Sequence, residues 1–334
     1  MPIRAYAASA PKTMLVPHEY EPRPLGPFDV EIAITHCGIC HSDIHLIDDD
    51  WAMSKYPLVP GHEIVGTVWA AGPEVVELTI GDRVGVGWQA GSCLACEWCE
   101  RGEEHCCPKQ VATCVERPGG FADAIRLDSR FVFPLPENLV SHDAAPLLCG
   151  GITVYSPLSR MVRPDYRVGV IGIGGLGHLA IQFARAFGCE VTAFSTSPDK
   201  EADARLLGAH HFIASNDAAE MERAAGTSDF LLSCVTVAMD WSAWLKVLRP
   251  RGTLCLVGAS PGTLDVMPAE LVIGQKSIVG SVIGSRARIR EMLQFAARND
   301  ITARTEVLPM GQANAAIDKV RQNLARYRMV LENG

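Results

Sequence analysis

The stretch that most restricts the fold is Gly172-Ile173-Gly174-Gly175-Leu176-Gly177. It follows a short apolar run, Val168 to Ile171. It opens a segment in which Leu176, Ala180, Phe183 and Phe187 recur at helical spacing until Gly188 stops them. A glycine loop between a strand and a helix predicts a phosphate cradle. Gly172 permits the tight turn, Gly174 lets the backbone approach a pyrophosphate, and Gly177 lets the helix pack on the strand. The free N–H groups and positive dipole end of that helix face the phosphates. The alternation continues. Strands are expected at Glu190–Phe194, Phe230–Val235, Thr253–Gly258 and Ser277–Ile283, with helices at Lys200–Leu207 and Trp241–Val247 between them. This is the pattern of an α/β, doubly wound parallel sheet.

The first 150 residues or so read differently. Short alternating runs, with Val30, Ile32 and Ile34 on one face, sit between Gly and Pro turn signals and predict a mostly β domain, a small barrel or sandwich. After Ser285 the pattern predicts a helix near Ile289–Ala297, a strand near Leu308, a helix over Gln312–Arg321 and a last strand, Tyr327–Leu331. The pattern leaves open whether this closing segment extends the sheet or returns to the first domain.

Two cysteine-bearing stretches carry the chemistry. Cys93, Cys96 and Cys99 are separated by two residues each, and Cys107 follows, with Cys106 competing for the fourth place. Four thiolates on a tight loop suit a closed, structural zinc site. The other stretch is Cys37-Gly38-Ile39-Cys40-His41-Ser42-Asp43-Ile44-His45, followed by Gly61-His62-Glu63. Cys40 and His62 are read as ligands of a catalytic zinc, which keeps three protein ligands and one open position. Cys149, in Ala145-Pro146-Leu147-Leu148-Cys149-Gly150, is the candidate third, and Asp43 is expected to orient His62. Glu63 is read as a neighbouring charge that either ligates transiently or tunes the ion. A rival reading makes Cys37-x-x-Cys40 a redox pair, but His62 and Cys149 give Cys40 a different use.

At the end of the second strand of the sheet, Ser195-Thr196-Ser197 with nearby Lys200 replaces the carboxylate that would hold the ribose of NAD. Hydroxyls and a cation suit a 2′-phosphate, so NADP(H) is expected.

Taken in order, Gly38-Ile39-Cys40-His41-Ser42-Asp43, Gly61-His62-Glu63, the cysteine lobe, Pro146-Leu147-Leu148-Cys149 and the glycine loop resemble the zinc-dependent medium-chain alcohol dehydrogenases. Met53-Ser54-Lys55-Tyr56-Pro57, Tyr155-Ser156-Pro157-Leu158, Ile283-Gly284-Ser285-Arg286 and Arg326-Tyr327-Arg328 resemble the cinnamyl alcohol dehydrogenase branch. The resemblance spans nearly the whole chain. It implies a GroES-like catalytic domain (1–152 and 288–334) and a Rossmann domain (153–287), paired as a homodimer through the strand near Ser277–Ile283. It implies a catalytic zinc on Cys40, His62 and Cys149, a structural zinc on Cys93, Cys96, Cys99 and Cys107, and a proton relay of Ser42 and His45. Ser195, Thr196 and Lys200 match its NADP-phosphate positions. His41, Gly175, Leu176, Val257, Ser281 and Ile283 complete the residues assigned to the cofactor. Trp51 and Met53, with Trp88, are assigned to the substrate pocket, where bulky apolar side chains suit an aromatic or medium-chain aldehyde.

Composition narrows the alternatives. A formal charge of −8 without a long basic run argues against a nucleic-acid partner. The start Met1-Pro2-Ile3-Arg4 lacks a signal-peptide core, and no apolar run is long enough to span a bilayer, so a cytoplasmic protein is expected. The other two readings are an NAD-dependent polyol dehydrogenase and a zinc- and nucleotide-binding protein without turnover.

Overall fold

The strand Asp29–Ile39 is the spine of the first half of this computed structural model, which describes residues 1–258 and 262–334. Its Val30, Ile32 and Ile34 are buried, as the alternation predicts, and so are Cys37 and Ile39 further along. One edge pairs antiparallel with Glu63–Ala71. The other edge is shared: Ala124–Asp128 covers Asp29–Ala33, and the last strand of the chain, Arg328–Glu332, covers His36–Ile39. The full sheet runs Thr305–Pro309, Arg328–Glu332, Asp29–Ile39, Glu63–Ala71, Arg83–Val86, Phe133–Pro134. By packing, the chain divides into two units, Met1–Ile152 with Gly284–Gly334, and Thr153–Ile283.

Where the spine strand ends, the helix His41–Asp48 begins, and Cys40 is the residue between them. Asp43 caps this helix by accepting the Cys40 N–H on Oδ2 at 2.9 Å. That places Cys40 at a fixed strand-to-helix corner. The helix is short, eight residues, as suits a mostly β domain.

In the second unit, strands Arg167–Ile171, Glu190–Ser195, His211–Ala214, Ser228–Ser233, Leu248–Leu256 and Ser277–Gly280 are all parallel. Counted in that order, they lie side by side as third, second, first, fourth, fifth, sixth. This is the doubly wound arrangement, with its switch point beside the first strand. The helix after the glycine loop runs Gly177–Ala186, starting just after Leu176, the first of its periodic positions, because residues 172–176 form the turn. Leu179, Ala180, Phe183 and Ala184 bury its inner face. The last strand stops at Gly280 instead of reaching Ile283. Of the cysteines in this unit, Cys189 and Cys255 are buried. Cys234 is partly exposed, because its strand ends one residue earlier, at Ser233. Among the described residues, no helix is long and apolar enough to cross a membrane.

Candidate metal centres and nucleotide loop

Three elements of the first unit converge on one point. The strand-to-helix corner brings Cys40, the residues leading into strand Glu63–Ala71 bring His62 and Glu63, and the segment after the turn Ala145–Leu148 brings Cys149. One ligand atom from each of these four residues lies within 4.8 Å of the others. Cys40 Sγ and Cys149 Sγ are 4.0 Å apart, and His62 Nε2 is 3.2 Å from Cys149 Sγ. Tetrahedral zinc with Zn–S near ~2.3 Å and Zn–N near ~2.0 Å needs donor separations of about 3.5–3.8 Å. The donor set therefore fits such an ion.

Asp43 accounts for the aim of His62. Its Oδ1 takes His62 Nδ1–H at 2.8 Å and Gly61 N–H at 2.9 Å, which leaves Nε2 as the nitrogen that could ligate a metal. Both side chains are fully buried. The orienting role expected for Asp43 is thus geometrically explicit. Burial pushes the His62 imidazole toward neutrality, but Asp43 and the Cys149 sulfur outweigh it and raise its pKa well above the ordinary range. A hydrogen bond from Cys149, aided by His62 and Arg328, draws the Cys40 thiol well below its usual value against the effect of burial. That shift favours the thiolate, the form that ligates a metal.

Glu63 is fully buried and pairs with Arg328, itself buried on the last strand. Its carboxyl is raised to about 7, because burial and the Cys40 sulfur outweigh Arg328. Glu63 Oε2 and Arg328 Nε have no hydrogen-bond partner among the described residues. A side chain at position 38 would collide with that carboxylate, its Cβ falling 2.1 Å from Oε2, so Gly38 is what lets Glu63 reach under the site. The sequence motif Arg326-Tyr327-Arg328 does not reveal that Arg328 pairs with Glu63, which stands 265 residues away.

Ser42 and Trp88 lie beside this cluster, and His45 and Trp51 beyond them. Ser42 is partly buried, with Oγ 3.7 Å from Cys40 Sγ. His45 is one turn further, and its Nδ1 bonds Asp50 at 2.8 Å. Sequence reasoning missed Asp50, which is one of three successive aspartates and has nothing in its own pattern to single it out. Trp88 packs edge-on against the His62 ring at 5.0 Å, Trp51 packs edge-on against Trp88, and His45 lies against Trp51. Met53 and His41 are exposed. Cys37 is buried in the core, where Cβ atoms at Gly61 or Gly120 would lie under 3 Å from its sulfur. It is enclosed by packing there, as a buried side chain of the core.

The second cysteine group forms on its own loop. Cys93, Cys96, Cys99 and Cys107 bring their sulfurs together, with separations of 3.9 Å (Cys93–Cys99), 3.6 Å (Cys96–Cys99) and 3.5 Å (Cys107–Cys93). These match the edges of a zinc–thiolate tetrahedron, about 3.8 Å. Cys107 takes the fourth place, and Cys106 is exposed. The Ala95 N–H and the Cys107 thiol lower the Cys93 thiol to about 6.

In the second unit, Gly172 has φ +87°, and a Cβ at Gly177 would lie 1.8 Å from the Gly172 carbonyl oxygen. A Cβ at Gly174 would meet nothing within 4 Å, so the loop is open at the one position where a phosphate needs access. Lys200 Nζ bonds the Ile173 carbonyl at 2.7 Å, bringing its cation onto the loop. Thr196 is exposed, whereas Ser195 is buried and accepts the Ser197 N–H. Val257 and Ser281 follow the ends of their strands, at the same carboxyl end of the parallel sheet as Gly172 and Ser195, and Ile283 is buried further along the chain.

Residues 26–137 match the family model of the alcohol dehydrogenase GroES-like domain, and residues 175–298 match that of the zinc-binding dehydrogenases. The chain is 43% identical over 332 residues to the aldehyde reductase AdhA of Synechocystis sp., covering 99% of each protein. It superposes on a cinnamyl alcohol dehydrogenase of Sorghum bicolor with a TM-score of 0.96 at 39% identity, covering 99% of this chain and 98% of the other. The CAD of Helicobacter pylori, solved in complex with NADP(H), matches with a TM-score of 0.93 at 32% identity over 99% and 98% of the two chains.

Proposed function

Because the chain belongs to the zinc-binding, GroES-like alcohol dehydrogenase family, alongside cinnamyl alcohol dehydrogenases, we propose that it interconverts aldehydes and primary alcohols with NADP(H) and a catalytic zinc. The observation that carries this reading is the cluster of Cys40, His62 and Cys149 with the Ser42 hydroxyl beside it. When bound, zinc polarises the substrate oxygen and the nicotinamide supplies or accepts the hydride. A second zinc held by Cys93, Cys96, Cys99 and Cys107 stabilises its loop and leaves no position for substrate.

The chain's own residues handle the proton and the pocket. Ser42 Oγ is close enough to the ligand sulfur to hold a proton at the reacting oxygen. His45 exchanges protons with solvent through Nε2, since Asp50 occupies its Nδ1. Trp88 and Trp51 form an aromatic wall beside His62, with exposed Met53 nearby in sequence, which suits aromatic or medium-chain aldehydes in a broad range. The NADP preference rests on Thr196 and Lys200 beside the glycine loop and on the absence of a carboxylate in Ser195-Thr196-Ser197. The relative solved with NADP(H) supports it. A homodimer through Ser277–Gly280, the outermost strand of this sheet among the described residues, is supported by exposed Met267, Val272, Ile273 and Val282, which flank it in sequence.

Metal analysis is expected to find zinc at both centres. NADPH oxidation is expected to be fast with benzaldehyde-like substrates and slower with NADH at equal concentration. No turnover with any aldehyde would overturn the reading, and faster reaction with NADH and a ketose would favour the polyol dehydrogenase instead. Asp50→Asn is expected to lower kcat about five-fold, the kinetic equivalent of a hydrogen bond of ~1 kcal/mol, with KM for the aldehyde unchanged. An unaltered kcat would remove Asp50 from the relay.

A further inference from the structure

Cys114 belongs to neither cysteine group read above. It is fully buried, yet its backbone is left-handed at φ +61°, a conformation uncommon for any residue with a Cβ. A strained non-glycine residue persists only where its surroundings hold it. The surroundings here are specific. The preceding residue is tied down at two points: Thr113 N–H donates to the Trp88 carbonyl at 2.7 Å, and Thr113 Oγ1 donates to the Gly87 carbonyl at 2.8 Å. Gly119 folds over it so closely that a Cβ there would lie 2.7 Å from Cys114 Cβ.

The strain delivers the sulfur to one place. Cys114 Sγ, a His62 ring nitrogen and an Asp43 carboxylate oxygen lie within 4.8 Å of one another. The His62 side chain and the Gly61 backbone, both of which also serve Asp43, neighbour the Cys114 sulfur. His62 is therefore held on three sides: Asp43 at Nδ1, the Trp88 ring edge-on, and the Cys114 thiol.

We propose that Cys114 is a positioning residue of the metal centre, its thiol restraining the His62–Asp43 pair so that Nε2 stays aimed between Cys40 and Cys149. This rests on reading Cys40, His62 and Cys149 as zinc ligands. Groups behind a ligating histidine fix its orientation, and their loss typically weakens metal binding by about 10–100-fold.

The test exploits opposite signs. Cys114→Gly removes the thiol and also relieves the left-handed backbone. With zinc in excess, its melting midpoint is expected to equal or exceed the parent's. Zinc is nevertheless expected to leave the Cys40–His62–Cys149 position about ten-fold faster into a chromogenic chelator. Cys114→Ser, which keeps a small polar group in place, is expected to return that rate to within about three-fold of the parent. Release from the Gly variant at the parental rate overturns the proposal. So does a Ser variant as fast as the Gly variant, or faster release accompanied by a lower melting midpoint, which general loosening would produce. His62→Ala identifies the relevant release phase. If no phase disappears in that variant, the ligand assignment has failed and not the role of Cys114.

Discussion

Ser42→Ala is expected to lower kcat by ~10²–10⁴-fold, the range supplied by a positioned acid–base group, while zinc content and NADPH affinity stay at parental values. The separation of effects follows from where Ser42 sits. It lies in the first turn of helix His41–Asp48, and alanine is the better helix former, so the corner that presents Cys40 is preserved. The Asp43 bonds that hold the corner and His62 do not involve the hydroxyl. What is lost is one oxygen 3.7 Å from the Cys40 sulfur. Single-turnover kinetics with a benzaldehyde-like substrate, alongside zinc analysis and NADPH titration, reads all three quantities. Near-parental turnover would take Ser42 out of the relay.

The second large effect concerns stability. Arg328→Met is expected to cost ~1–3 kcal/mol of unfolding free energy, because Glu63 loses its cation and hydrogen-bond donor and must take up a proton to stay buried. Glu63 is fully buried and Arg328 nearly so, and water cannot take over for the lost guanidinium. The paired change Glu63→Gln with Arg328→Met is expected to recover most of that loss, since neither remaining group then carries a charge. Denaturant midpoints of the two single variants and the double variant decide it. An Arg328→Met protein as stable as its parent would show that the pair is only a contact.

These residues also mark how far the sequence could be read. The doubly wound sheet, the glycine loop and the mostly β first half were legible, because each is written in local spacing. Glycines at a strand-to-helix turn, thiols two residues apart and period-two apolar runs all act within a few residues. The grouping of Cys93, Cys96 and Cys99 has the same character. The choice of Cys107 over Cys106 does not, since adjacent residues point in different directions and only the folded loop decides which thiol turns inward. Asp50 was hidden among three neighbouring aspartates, and the turn after His45 picked one of them.

The sequence alone therefore determined which side chains are available for metal, nucleotide and proton chemistry, and which local turns display them. Only the tertiary structure decided which distant groups share a buried space. Pairing of Arg328–Glu332 with the spine strand sets Arg328 against Glu63, and the left-handed turn at Cys114 sets a thiol against His62. The physical reason is that strand pairing and loop closure are settled by the burial and hydrogen-bond satisfaction of the whole sheet. No window of neighbouring residues carries that information.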